Sequence, residues 1–120
     1  MADMAERMEP PWQEYDKEYR AFQDREGIPV HEAFYVDDVR ELEVGPWDRT
    51  GGLGAFVNLE GMEGVCDAQL HVIPERATLA PQRHLHDAQA FVLNGRGSTT
   101  IGEGAAETSF ERSEHSYFYL

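Results

Sequence analysis

The stretch Ala80-Pro81-Gln82-Arg83-His84-Leu85-His86-Asp87-Ala88-Gln89-Ala90-Phe91-Val92-Leu93-Asn94-Gly95-Arg96-Gly97-Ser98-Thr99-Thr100-Ile101 decides how this chain is read. A His-x-His pair leads into an apolar run, and the run ends in a Gly-x-Gly turn. On an extended strand, residues two apart point to the same face, so His84 and His86 would aim side by side, as two metal ligands must. Neutral imidazole suits iron, manganese, nickel, copper or zinc. Taken alone, a bare His-x-His is more often two histidines on a polar strand face, so the surrounding sequence has to decide.

Outward from this stretch the pattern is one of short strands. Residues 34–36, 42–44, 55–59, 65–73, 88–93, 98–101 and 108–110 read as strands, punctuated by Gly45-Pro46, Gly51-Gly52, Gly61, Gly64, Gly95 to Gly97 and Gly102 to Gly104. Such a series points to a sandwich or jelly roll. Only one segment has a helical period. After a leader over residues 1–10, the aromatics Trp12, Tyr15, Tyr19 and Phe22 recur at spacings of three, four and three, forming one stripe on a helix that Gly27 terminates. The stripe is expected to dock the helix onto the body of the protein. The apolar run Tyr117-Phe118-Tyr119-Leu120 reads as a bare strand edge, an association surface that a second copy or further chain would cover.

Size and charge bound the function. A chain of 120 residues fits one small domain with a single core. A formal charge of −13 disfavours nucleic acid and anionic membrane surfaces as partners. Cys66 is the only cysteine, so no internal disulfide forms, and its strand setting suggests a buried, inert thiol. The N-terminus lacks the basic and apolar regions of a signal peptide, and a cytoplasmic location is expected. The Gly95-Arg96-Gly97-Ser98-Thr99 segment lacks phosphate-loop spacing and reads as a strand-to-strand turn.

Residues 54–120 resemble the cupin superfamily, and in particular two-cupin proteins of the gentisate-dioxygenase-like type. The segments that carry the resemblance are Pro81-Gln82-Arg83-His84-Leu85-His86-Asp87-Ala88 and Val92-Leu93-Asn94-Gly95-Arg96-Gly97-Ser98-Thr99. Upstream, Gly54-Ala55-Phe56-Val57-Asn58-Leu59 and Gly45-Pro46-Trp47 add to it. The resemblance implies a mainly β fold: one N-terminal amphipathic helix, then a cupin-like jelly roll or β-barrel that reads as incomplete. Residues 1–27 would form the leader and helix, and residues 28–120 the β domain.

The first cupin motif runs Gly-x5-His-x-His-x3-Glu-x6-Gly. With its last glycine on Gly95, the glutamate falls on Ala88, the histidines on His84 and Gln82, and the first glycine on Arg76. Taking His84 and His86 as the literal pair instead moves the glutamate to Ala90 and the closing glycine to Gly97. The carboxylate is lost in both registers, and the first keeps the Val-Leu-x-Gly turn in place. The second motif, Gly-x5-Pro-x-Gly-x2-His-x3-Asn, is not found, and the chain stops where its Pro-x-Gly turn would begin.

By this resemblance the metal ligands would be His84, His86 and Gln82, holding a divalent metal weakly or not at all, with iron or manganese favoured. A fuller ligand set would have to recruit His71, His115 or Asp87, but His71 and His115, like His31, read as structural. Catalytic residues are not readable. The leading expectation is a degenerate or truncated small-molecule- or metal-binding barrel without catalysis of its own, self-associating through its C-terminal strand and open to a small organic ligand. The competing expectations are a metal-dependent, dioxygenase-like enzyme acting on a small organic acid, in which the metal serves as Lewis acid and template, and a fragment of a longer two-cupin protein.

Overall fold

A computed structural model of the chain describes residues 11–120, with side chains from Asp16 onward. The leader over residues 1–10 and the Trp12 and Tyr15 side chains lie outside the described residues. Helix α1 spans Pro11–Glu26. Proline suits the first helical position because its missing N–H has no partner there in any case. Tyr19 and Phe22 stack with ring centroids 6.0 Å apart, and each meets Phe56 edge-on, at 6.1 and 5.8 Å. The described half of the aromatic stripe is therefore a docking face, as its spacing implies. Among the described residues no helix is long and apolar enough to cross a membrane.

Phe56 belongs to β3 (Gly52–Leu59), the strand that organises a compact unit running up to Gln82. Strand β1 (Val30–Ala33) pairs parallel with the second half of β3, and β2 (Gly45–Trp47) pairs antiparallel with the first half. Strand β4 (Ala68–Val72) runs antiparallel along β3 from Leu53 to Val57. Because β4 overlaps both neighbours, it must occupy one edge of β3 while β1 and β2 share the other. Pro46 is tolerated in β2 because an edge strand can leave an N–H position unused.

The core of this unit is Ile28, Trp47 and Phe56, with Tyr19 and Phe22 packed against it. Each such side chain contributes roughly 1.5–3 kcal/mol when fully buried. Trp47 lies edge-on to Phe56 at 5.3 Å and fits over β3 because residue 54 is glycine. A Cβ on Gly54 would run into the indole and come within 2.8 Å of the Leu70 carbonyl oxygen. Polar residues are buried too: Thr50, and the amide pair Gln23 and Asn58, 2% and 6% exposed. Each side-chain amide donates to the other's oxygen at 2.9 Å, so neither is left unsatisfied.

A second compact unit covers Arg83–Leu120. Here β5 (Gln89–Phe91) pairs antiparallel with β8 (Tyr117–Tyr119), and β6 (Gly97–Ile101) pairs antiparallel with β7 (Thr108–Arg112). Phe110 of β7 meets Phe118 of β8 edge-on at 5.0 Å and joins the two small sheets. Hydrogen bonds from Val92 N to Ser116 O and from Leu120 N to Ala88 O extend the β5–β8 ladder at both ends. No residue of this unit is buried.

The described residues are thus β-rich, with one α-helix and open sheets of four, two and two strands. Two expected strands move. Residues 34–36 are not a strand, and Phe34 and Tyr35 stand 82% and 70% exposed. Residues 42–44 are not a strand either, and follow a 3-10 turn at Val39–Glu41. The neighbouring strands form instead at Val30–Ala33 and Gly45–Trp47. Backbone pairing with β3 decided this, because Pro29 O and Ala33 O accept from Phe56 N and Glu60 N. Cys66 is also displaced from its expected setting. It lies ahead of β4 and is exposed.

Candidate functional site

His84 and His86 do not lie on a strand: they occupy an irregular segment, and β5 begins only at Gln89. Pro81 and the bend at Leu85 and His86 break the extended alternation that the His-x-His reading assumed. The two rings nevertheless come together, stacked with centroids 4.4 Å apart and planes 20° from parallel. His84 Nδ1 donates to the His86 carbonyl oxygen at 2.7 Å, which places the free lone pair of His84 on Nε2.

This is an orienting bond of the kind that metal-bound histidines use, yet the pair does not make a chelate. A metal lies near the plane of each imidazole it binds, at roughly 2.0–2.1 Å from the nitrogen. Two stacked, nearly parallel planes have no shared point at that distance. His84 therefore offers one donor, and one imidazole holds a metal weakly.

Of the other expected donors, Gln82 and Asp87 have hydrogen-bond partners of their own, and His115 lies in a turn apart from the pair. Gln82 lies in the first unit, where its side-chain oxygen accepts from Arg49 Nη1 at 3.4 Å, and a neighbouring guanidinium opposes a cation there. Asp87 accepts from the Tyr119 hydroxyl at 2.8 Å, and this contact raises the Tyr119 pKa. His115 sits at φ +70° in the turn between β7 and β8, and its ring stacks on Phe91 at 6.0 Å. His31 donates from Nε2 to the Glu43 carbonyl oxygen at 2.8 Å. Ala88 and Ala90, the two positions available for the motif's glutamate, carry no donor. Among the described residues no group of three or more His, Cys, Asp or Glu side chains is placed to hold a metal ion. The residues present do not fit a resident metal.

Backbone geometry gives a second view of the motif. Arg76 has φ +65°, and Gly95 has φ +87°. Both are in the left-handed region, where an L side chain is disfavoured and glycine is at ease. These are the two positions that the first register assigns to the motif's glycines.

The most elaborate side-chain cluster centres on Trp47. Glu26, at the end of α1, accepts from the indole Nε1 at 3.0 Å and forms an ion pair with Arg49. The Arg49 guanidinium lies 5.3 Å from the Phe22 ring centre and 5.2 Å from that of Trp47. On β4, His71 stacks on Trp47 at 4.7 Å, with Gln69 Oε1 3.1 Å from its Nε2. His71 keeps an exposed edge, but removal of one ring face from water, and then the Arg49 charge, push its pKa below the ordinary imidazole value. Burial raises the Glu26 pKa, but hydrogen bonds from Arg49 and Trp47 outweigh it, and the net direction is downward.

The sequence places His71 on a face with Gln69 and Asp67, but nothing in it signals that Trp47, Arg49 and Glu26 converge there. The cluster joins segments brought together by the β2–β3–β4 register and by the docking of α1 on β3. Comparison with protein-family models, with curated proteins and with solved structures finds no match.

Proposed function

We propose that the chain is a cupin-like binding module that keeps the frame of the first cupin motif and has lost its chemistry. One observation carries this reading. The glycine positions of the motif, Arg76 and Gly95, both adopt left-handed backbone, while the ligand positions between them hold Gln82 and Ala88. A jelly-roll arrangement of the strands is part of the proposal, supported by the β-rich content and by the resemblance of residues 54–120. With the two imidazoles stacked rather than converging and no carboxylate in place, the module lacks the donor set that would hold a metal to activate oxygen or polarise a substrate. Its role is to bind a small organic ligand or another protein chain.

Self-association through the β5–β8 sheet belongs to the same proposal. Phe91, Tyr117 and Tyr119 are 55%, 65% and 65% exposed on strands whose outer edges carry no partner among the described residues. A unit with no buried residue gains most of its missing core by covering such a surface.

The test restores what is missing. In the double variant Gln82→His, Ala88→Glu, the cupin register regains a His-His-Glu set around His84. If the frame is that of a cupin, the variant binds manganese or zinc at least tenfold more tightly than the parent chain, and His84→Ala in that background abolishes the gain. No gain in a folded double variant contradicts the cupin frame.

A further inference from the structure

We propose that the outer edge of β1 and the groove beside it form a docking site for an extended, basic segment of a partner protein, received as an added strand. Among the described residues strand β1 is the terminal strand of its sheet. Pro29 O and Ala33 O both point into the sheet, accepting from Phe56 N and Glu60 N. Backbone groups alternate in direction along a strand, so those of Val30 and Glu32 point outward, away from β3. They make an open ladder of the kind that receives a strand from another chain.

The open ladder is not bare. Beside it lies a shallow groove of about 490 Å³ that runs along β1 and the 3-10 turn at Val39–Glu41. Val30, Val36 and Leu42 give it an apolar lining, and Tyr35 stands at its edge, 70% exposed. The charged lining is acidic, from Glu32, Asp37, Asp38 and Glu41, with Ala33 and the His31 imidazole, which donates to the Glu43 carbonyl oxygen, beside them. Arg20 pairs with Glu32, and Arg40 pairs with Asp38. Asp37 accepts only the Tyr35 hydroxyl, and among the described residues neither Asp37 nor Glu41 is ion-paired. Among the described residues no lysine or arginine lines the groove.

An extended segment suits the backbone of this site, and alternating apolar and basic side chains suit its walls. The formal charge of −13 draws such a segment toward the protein from a distance.

The probe is a fluorescein-labelled seven-residue peptide of alternating Lys and Val, titrated into the full chain and read by anisotropy. It binds saturably, and the amides of Val30 and Glu32 gain protection from hydrogen exchange. N-methylation of every second peptide amide, in the register that faces β1, weakens binding at least tenfold while leaving the charge intact. Glu41→Gln weakens it several-fold, and Glu75→Gln, beyond β4, leaves it unchanged.

Binding that ignores N-methylation in both registers would show charge attraction alone and overturn the proposal. Absence of binding overturns it too. If the peptide binds only after residues 1–10 are deleted, the chain's own N-terminal segment fills the groove and the partner reading fails. Protection of Val30 and Glu32 that rises with protein concentration, without peptide, assigns the edge to a second copy and likewise overturns it.

Discussion

Gln23 on α1 and Asn58 on β3 hold each other's side-chain amides through two hydrogen bonds of 2.9 Å, inside the core. The pair fixes the helix against the sheet with polar groups that can be satisfied only together. Gln23→Ala or Asn58→Ala strands the remaining amide, and each should lower stability by about 1–3 kcal/mol. Replacing both with leucine removes the unsatisfied group and should recover most of that loss. Urea unfolding of the three variants checks this, and a double variant no better than the singles would contradict the pairing.

Backbone conformation makes a second prediction. Arg76 is held at φ +65°, a region that costs a side-chain-bearing residue about 1–2 kcal/mol. Glycine relieves that strain but loses about 0.5–1 kcal/mol through the entropy of the unfolded chain. Arg76→Gly should therefore be neutral or stabilising by up to about 1 kcal/mol. Gly95→Ala meets no neighbouring atom, so its loss is pure backbone strain. Gly54→Ala is a different case, because its Cβ has no room beneath Trp47, and overpacking of that kind costs about 1–3 kcal/mol. Thermal unfolding of the three variants separates strain from crowding.

His71 gives the fold a pH dependence. Burial against Trp47, followed by the Arg49 charge, lowers its folded pKa below the ordinary 6.5. Between the folded value and 6.5 the unfolded chain binds more protons than the folded one, so stability rises with pH across that window. The contribution is complete above 6.5 and is lost as pH falls below it. His71→Gln should flatten this part of the stability profile, measured as denaturation midpoint against pH. A slope unchanged in the variant would place the titration elsewhere.

Protection against hydrogen exchange should divide the two units. Ala55, Phe56, Val57 and Asn58 of β3 are buried, and their amides should exchange slowest. Strands β5 to β8 lie in two-stranded sheets without a buried residue and should exchange faster, unless protein concentration is raised enough for self-association to cover them.

Local signals in the chain were readable, and long-range ones were not. The helix announced itself through Tyr19 and Phe22, and β3, β4, β6 and β7 through short segments set off by glycine turns. The stretch at residues 34–36 misled because Phe34-Tyr35-Val36 is apolar yet faces solvent, while β1 formed on the less apolar Val30–Ala33 through pairing with β3. Gln23 and Asn58 gave no core signal, since an amide is buried only when its partner is, and that partner lies on another element. The His84 and His86 pairing was legible as proximity. Its geometry was not, because whether two rings converge on a point or stack depends on a bend that spacing does not encode.

On the proposed reading, the frame around His84 no longer holds a metal. The direct test is calorimetric titration of the untagged, metal-stripped full chain with manganese and zinc at neutral pH, with His84→Ala and His71→Ala titrated alongside. The account predicts weak binding, in the millimolar range or above, carried by His84 and not by His71. One metal bound per chain with micromolar or tighter affinity would contradict it. That result would mean the stacked rings part to form a working site.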